Sequence, residues 1–138
     1  MDPTSAQSTE INRPRRILLV DDELNQVSIL RSGLAKLPSC QIAIATSGRQ
    51  ALELCAQQPF DLMITDYRMP EMDGLALASL VLEKYPATHI IMLTAFGSEV
   101  LNETADTGPA PLVLEKPIDI QHIRKAALQA LDSGETAR

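Results

Sequence analysis

The sequence predicts an α/β domain: a doubly wound, five-stranded parallel sheet with helices on both faces. Two observations lead to this prediction. Short apolar runs alternate along the chain with longer segments of helical periodicity, which is typical of right-handed β-α-β crossovers. The apolar runs are also nearly continuous instead of alternating with polar residues, as expected for strands buried on both faces.

The first half of the chain supplies two strands and two helices. Residues 16–20 form the first predicted strand, and the helix that follows, from about 23 to 36, carries an apolar stripe. The alternating segment 41–45 is the second strand. Ser47 is the expected N-cap of the second helix, which runs to about residue 57.

The second half continues the alternation. The third strand covers residues 62–65, and the fourth covers residues 89–93. Between them, the third helix follows Met72-Asp73-Gly74 and ends near Tyr85. It stops there because Pro86 disfavours a helical conformation in the residue before it.

The connection between the fourth and fifth strands is the least regular part of the sequence. Residues 98–111 should hold the fourth helix, but Thr107-Gly108-Pro109-Ala110-Pro111 cannot continue one. We therefore expect a short or irregular fourth helix, and strong amide-exchange protection through residues 98–108 would contradict this. The fifth strand is 112–115, and Asp119 caps the last helix. The predicted fold is flavodoxin-like, with strand order 2-1-3-4-5.

Composition excludes several functions. A net charge of −6, aromatic residues at 3% and the lack of Trp argue against direct nucleic-acid binding. No apolar run reaches the roughly 20 residues that a membrane-spanning helix needs, so we expect no membrane insertion and a cytoplasmic location. We assign residues 1–13 to a flexible N-terminal tail, 14–132 to the folded domain and 133–138 to a C-terminal tail or the start of a linker.

Four of the five apolar runs lead directly to a side chain with reactive chemistry. Asp21-Asp22 follow the first strand, Asp66 the third, Thr94 the fourth and Lys116 the fifth. Because ligands bind outside the carboxyl ends of the strands in such sheets, we expect these side chains to converge. A lone Asp at a strand end is usually a turn residue, and paired Asp residues can cap a helix. Their joint placement indicates a site.

This constellation suits a divalent cation and a phosphoryl group. Three carboxylates repel one another unless a hard cation joins them, and an all-oxygen ligand set favours Mg²⁺ or Mn²⁺ over Zn²⁺. Asp66, alone at the end of the central strand, can act as a nucleophile on phosphorus. Thr94 can donate its hydroxyl to a phosphoryl oxygen, and Lys116 can neutralise developing charge.

Four sequence blocks resemble the receiver domains of two-component response regulators in their order and separation. They are LLVDDE (18–23), DLMITDYRMPEMDG (61–74), LTAFG (93–97) and EKP (115–117), and the resemblance covers about residues 14–132. It implies a phosphorelay receiver that takes a phosphoryl group from a sensor histidine kinase or phosphotransfer protein and then switches binding to an unknown output partner. It also implies a monomer or phosphorylation-dependent dimer, and no enzyme activity beyond its own phosphorylation and dephosphorylation.

The resemblance assigns the acidic residues to a metal and a phosphoryl group. It implies Asp66 as the phosphoacceptor. Asp22 and Asp66 would ligate Mg²⁺ directly, with the backbone carbonyl of Arg68 as a further protein ligand. Asp21 would act partly through water.

The other implied roles concern the phosphate. Thr94 would be the switch hydroxyl, and Lys116 would bridge to the phosphate from a cis peptide bond to Pro117. The residue three before this lysine is usually Tyr or Phe in the family. Here it is Val113, which has no ring to move between buried and exposed positions.

Two other classes of function stay open. One is a non-phosphorylated protein-interaction module with this fold, which Val113 and the irregular fourth helix favour and the intact acidic residues oppose. Failure to bind Mg²⁺ would support it. The other is a phosphohydrolase with an Asp nucleophile. Such enzymes carry a DxD pair after the first strand, where this chain has the adjacent acids Asp21 and Asp22, and turnover of a small phosphate ester would be needed to support that class.

Overall fold

The computed structural model describes residues 13–95, 112–117 and 119–136 of the chain. Within these ranges it contains five strands and four helices. In chain order the elements are β1 (Arg15–Val20), α1 (Leu24–Leu34), β2 (Cys40–Ala45), α2 (Gly48–Gln57), β3 (Leu62–Asp66), α3 (Gly74–Lys84), β4 (His89–Thr94), β5 (Leu112–Glu115) and α4 (Ile120–Thr136).

The five strands form one parallel sheet in the order β2-β1-β3-β4-β5. The predicted fold class and strand order are therefore confirmed. β3 lies at the centre, between β1 and β4. The order reverses beside β1, and the crevice above such a point is where ligands bind in open α/β sheets.

Each face of the sheet has its own core. Leu18 and Val20 of β1 point towards α2 and α3, whereas Ile17 and Leu19 point towards α1 and α4. Successive residues of one strand fill both cores, which explains the nearly continuous apolar runs. The core between the sheet and helices α2 and α3 is called the α2/α3 core below. Its buried members are Leu18, Val20, Ala45, Ala51, Cys55, Phe60, Met63, Tyr67, Leu77, Ala78, Val81, Ile90 and Met92.

Side-chain caps begin three of the described helices. Oxygens of Ser47, Asp73 and Asp119 accept backbone N–H groups in the first turns of α2, α3 and α4. These amides have no partner within the helix, so each cap satisfies a donor that would otherwise be left open. The predicted caps Ser47 and Asp119 are confirmed. Among the described contacts, Glu23 at the start of α1 makes no side-chain cap hydrogen bond.

The structure also describes residues on either side of the predicted domain, 14–132. Arg13, the last residue of the predicted N-terminal tail, makes a two-pronged ion pair with Asp61, the shorter contact being 2.9 Å. α4 continues to Thr136, because each residue added to an existing helix gains a hydrogen bond without a new nucleation cost. Residues 1–12 and the predicted fourth helix at 98–111 lie outside the described residues. In the part of the chain that is described, no helix has the length and apolar character needed to cross a bilayer.

Candidate functional site

The carboxyl ends of four strands meet at one edge of the sheet, and the predicted site residues lie there. Asp21 directly follows β1, Asp66 and Thr94 are the last residues of β3 and β4, and Lys116 directly follows β5. Asp66 pairs in register with Leu93, one residue before Thr94. The sheet therefore brings together residues that are far apart in the sequence.

Three carboxylates form an acidic cluster at this edge. One oxygen each of Asp21, Asp22 and Asp66 lies within 4.8 Å of the others. Asp21 and Asp66 are 2% and 7% exposed, whereas Asp22 faces solvent. The cluster thus combines two buried carboxylates with one that water reaches.

Burial dominates the electrostatics of Asp21. The pKa of its carboxyl is raised from 3.8 to about 6, mainly because burial removes water from the charged form. Repulsion from Asp66 and Asp22 also raises the pKa, whereas the hydrogen bond from the Glu23 N–H and the charge of Lys116 lower it. A hard divalent cation would relieve both the lost hydration and the repulsion. Carboxylate oxygens are the ligands that Mg²⁺ prefers, so the residues present fit this ion.

An ammonium group faces the central carboxylate. Lys116 Nζ lies 2.9 Å from Asp66 Oδ1, and both side chains are largely buried. The backbone N–H of Lys116 donates to the carbonyl of Thr94 at 2.9 Å, which ties the end of β5 to the end of β4. The Lys116–Pro117 peptide bond is cis, as the resemblance implied. The lysine thus reaches Asp66 from a backbone position fixed by the neighbouring strand.

Two threonines belong to the same edge. Thr94, at 1% exposure, ends β4 in a buried position beside the strand that carries Asp66. Thr65, which sequence reasoning did not select, is also buried, and its hydroxyl donates to the carbonyl oxygen of Asp66 at 3.0 Å. A hydroxyl residue inside an apolar strand was the signal that could have identified it.

A tight loop joins Asp66 to α3. The Gly74 N–H donates to the Tyr67 carbonyl at 2.7 Å, and a Cβ at position 74 would collide with the carbonyl oxygen of Asp66. This close approach of two backbone segments explains the glycine. Arg68, two residues past Asp66, is exposed, with its guanidinium 5.7 Å from the centre of the Tyr67 ring.

Val113 lies where receiver domains usually carry an aromatic ring. It pairs in register with Met92 of β4, is half-buried and packs against the α2/α3 core. Its branched side chain has restricted rotamers and is much smaller than a ring. A conformational response at Thr94 therefore has no aromatic group at this position to move.

The fold and the site together define a receiver-type α/β domain. The family model described as "Response regulator receiver domain" matches residues 17–128. The chain belongs to this family.

Individual relatives agree with the family match. The chain is 37% identical over 116 residues to the transcriptional regulatory protein ZraR of Escherichia coli K12, a match that covers 83% of this chain and 26% of that protein. It is 35% identical over 119 residues to the probable chemotaxis protein CheY of Rhizobium etli, covering 84% and 91%. The signal receiver domain of an HD domain-containing protein from Pseudomonas fluorescens Pf-5 aligns with a TM-score of 0.83 at 31% identity, covering 91% and 93%. The chain thus spans about a quarter of the length of ZraR.

Proposed function

We propose that this chain is the phosphoacceptor receiver of a two-component phosphorelay, in which Asp66 takes a phosphoryl group from a sensor histidine kinase or a phosphotransfer protein. The environment of Asp66 carries the proposal: its carboxylate is grouped with Asp21 and Asp22 and lies 2.9 Å from Lys116 Nζ. A carboxylate that only ends a strand or caps a turn needs no such neighbours. Membership of the receiver family supports the same conclusion.

The proposed reaction is a substitution at phosphorus. One carboxylate oxygen of Asp66 forms the new bond, the bond between phosphorus and the donor's imidazole nitrogen breaks, and the imidazole leaves with the electron pair. Catalysis in such transfers rests on positioning and charge stabilisation. Lys116 already lies beside the attacking carboxylate and supplies positive charge there, while Thr94 supplies a hydroxyl donor at the same edge.

We propose Mg²⁺ as the ion of this site, with Mn²⁺ as the alternative that the same donor chemistry allows. Asp22, Asp66 and the carbonyl of Arg68 would hold it directly, and Asp21 partly through water. When bound, the ion neutralises charge on the carboxylates and on the phosphoryl oxygens.

Phosphorylation is proposed to switch binding to a partner or output module. A phosphoryl group adds negative charge and strong hydrogen-bond acceptors to a buried edge of the sheet. One relative is a transcriptional regulatory protein much longer than this chain, and another is a chemotaxis protein of similar length. The output is therefore proposed as either a module of a longer chain or a separate protein.

The remaining parts of the proposal concern the setting of the domain. We propose a receiver domain over residues 14–132 that acts in the cytoplasm, as a monomer or a phosphorylation-dependent dimer. It catalyses only its own phosphorylation and dephosphorylation. The family match over residues 17–128 supports these boundaries.

Val113 favours one alternative, a receiver-like interaction module that is not phosphorylated. Val113 packs inward where an aromatic ring would otherwise stand. No ring at this position can therefore move in response to Thr94. Under this alternative the acidic cluster binds no Mg²⁺, and the protein binds its partner equally well with and without a phosphodonor.

The deciding experiment is intact mass spectrometry after incubation with acetyl phosphate and Mg²⁺. We expect one added phosphoryl group, lost in Asp66→Asn and lost when a chelator removes the metal. Asp61→Asn is the matched control, because Asp61 lies just before the other end of the same strand, and it should still be phosphorylated. Failure of the unmodified chain to gain a phosphoryl group, together with failure to bind Mg²⁺, would support the interaction module.

A further inference from the structure

The loop between β3 and α3 makes a contact that lies outside the proposed ligand set. Met72 packs on Gly48, the first residue of α2, so closely that a Cβ at position 48 would lie 2.7 Å from the Met72 sulfur and 3.2 Å from its Cβ and Cγ. Side chains do not tolerate such overlap without shifting. Position 48 therefore has room only for glycine while Met72 keeps its place.

The backbone of the loop is bent where it delivers Met72 to this contact. Glu71 has a φ of 69°, in the left-handed region that residues with a side chain rarely adopt. The Met72 N–H donates to the carbonyl of Pro70 at 2.7 Å, which closes a tight turn around Glu71. Strained backbone persists only where its surroundings hold it in place, and it clusters at functional sites.

Both sides of the contact connect to the acidic cluster. α2 begins soon after β2, whose last residue, Ala45, accepts the N–H of Asp21 at 3.1 Å. At its far end the loop returns to Gly74, which lies against the backbone of Asp66. The Met72–Gly48 contact therefore links the loop that follows Asp66 to α2, the helix that comes after the strand hydrogen-bonded to Asp21.

We propose that Met72 is a positioning residue for Mg²⁺ binding at the acidic cluster, acting by seating the β3–α3 loop against Gly48. The inference rests on the proposed function, and it adds a residue that sets the Mg²⁺ affinity of the site. Met72 itself lines a cleft of about 600 Å³ between α2 and the loop. Shortening it would extend this existing opening and release the loop that carries Arg68.

The test is a double-mutant cycle on the full chain, with Mg²⁺ affinity measured by calorimetry. Met72→Ala should weaken Mg²⁺ binding on the order of tenfold, as substitutions of outer-shell partners typically do. Met72→Leu should retain most of the Mg²⁺ affinity of the unmodified chain. Gly48→Ala should weaken binding in the natural background but add little to Met72→Ala, because the sulfur and the Cγ it would meet are then gone and only the 3.2 Å contact with the Cβ remains. Met72→Val should fall between the two and serves if Met72→Ala does not fold.

A second readout separates positioning from general loss of stability. With acetyl phosphate as donor, Met72→Ala should raise the Mg²⁺ concentration that gives half the maximal phosphorylation rate and leave the rate at saturating Mg²⁺ close to that of the unmodified chain. Leu82→Ala is the matched control. Leu82 packs half-buried against the same α2/α3 core from α3, so its loss should lower the melting temperature without moving the Mg²⁺ dependence.

The outcomes distinguish the two proposals. If the unmodified chain neither binds Mg²⁺ nor gains a phosphoryl group, the proposed function is wrong. If it does both and the effects of Met72→Ala and Gly48→Ala simply add, or Met72→Ala matches Leu82→Ala in its Mg²⁺ dependence, the positioning role is wrong and the proposed function stands.

Discussion

Asp21 and Asp22 are neighbours in the chain, yet Asp21 is buried and Asp22 faces solvent. Asp21 and Asp22 were both identified as candidate ligands, because two acids after an apolar strand are visible in the letters. The difference in their burial could not be predicted from the sequence. It depends on the direction in which the chain leaves β1 and on the hydrogen bond that Asp21 accepts from the Glu23 N–H. Local pattern predicts which residues reach the edge of the sheet but not how much water each one keeps.

The buried charge of Asp21 predicts a stability that falls as pH rises. Its pKa is about 6 in the folded chain against 3.8 as the ordinary value, so the folded state holds the proton more tightly. The stability from this group is present below about pH 3.8 and lost through about pH 6. In metal-free buffer at pH 7, we expect Asp21→Asn to be more stable than the natural chain by on the order of 1–3 kcal/mol.

Urea unfolding across this pH range checks the prediction. The difference between the two proteins should vanish towards pH 4, and saturating Mg²⁺ should favour the natural chain because the ion replaces the missing hydration of Asp21. A difference that stays constant with pH would show that burial of this charge does not govern the effect.

Gly74→Ala tests the close approach between the loop and the end of β3. The added methyl group would meet the backbone carbonyl of Asp66, which cannot rotate away. We expect a loss of about 1–3 kcal/mol in the free energy of unfolding, typical of overpacking, together with slower phosphorylation.

Gly33→Ala is the matched control for that substitution. There the new methyl group would meet side-chain atoms of Ile120, most closely its Cγ2, and no backbone atom is among its three nearest contacts; alanine also favours a helix interior. Chemical denaturation of both variants should show the larger loss at position 74. Equal losses would mean that the backbone of Asp66 yields as easily as a side chain.

Among the elements, the strands were predicted to within a residue and the helix starts nearly as well. Strand ends are marked by the first reactive side chain after each apolar run, and Ser47 and Asp119 carry the capping chemistry in their own side chains. Contacts between distant elements were not predicted. Arg16, for example, donates to the carbonyls of Gln58 and Pro59 beyond the end of α2. Such contacts depend on the packed distance between elements, which periodicity does not encode.

Asp73 provides a prediction for α3. Its carboxylate accepts the N–H of Ala76 at 2.8 Å, at the point where the site loop becomes a helix. Asp73→Ala should cost about 1 kcal/mol, the usual loss for an N-cap, whereas Asp73→Ser should cost little. Thermal unfolding of the two variants checks this, and equal melting temperatures would show that the cap bond contributes nothing to the stability of α3.

Over the whole molecule, the two ends of the sheet carry opposite electrostatic arrangements. At the carboxyl edge, burial and repulsion raise the pKa of Asp21. At the amino edge, burial also raises the pKa of Asp61, but the Arg13 side chain and the backbone N–H of Arg16 outweigh it, and the pKa is lowered overall. Folding therefore favours the protonated form of Asp21 and the charged form of Asp61.

This opposition predicts opposite pH slopes from the two ends. Because the pKa of Asp61 is lowered on folding, its contribution is present above the ordinary value of 3.8 and lost as pH falls through the folded value. At pH 7, Asp61→Asn should lose about 1 kcal/mol, a modest figure because Arg13 is half-exposed. The loss should shrink below pH 4, where Asp21→Asn no longer differs from the natural chain. A loss for Asp61→Asn that is the same at pH 7 and at about pH 3 would mean that the Arg13 pair does not stabilise the fold.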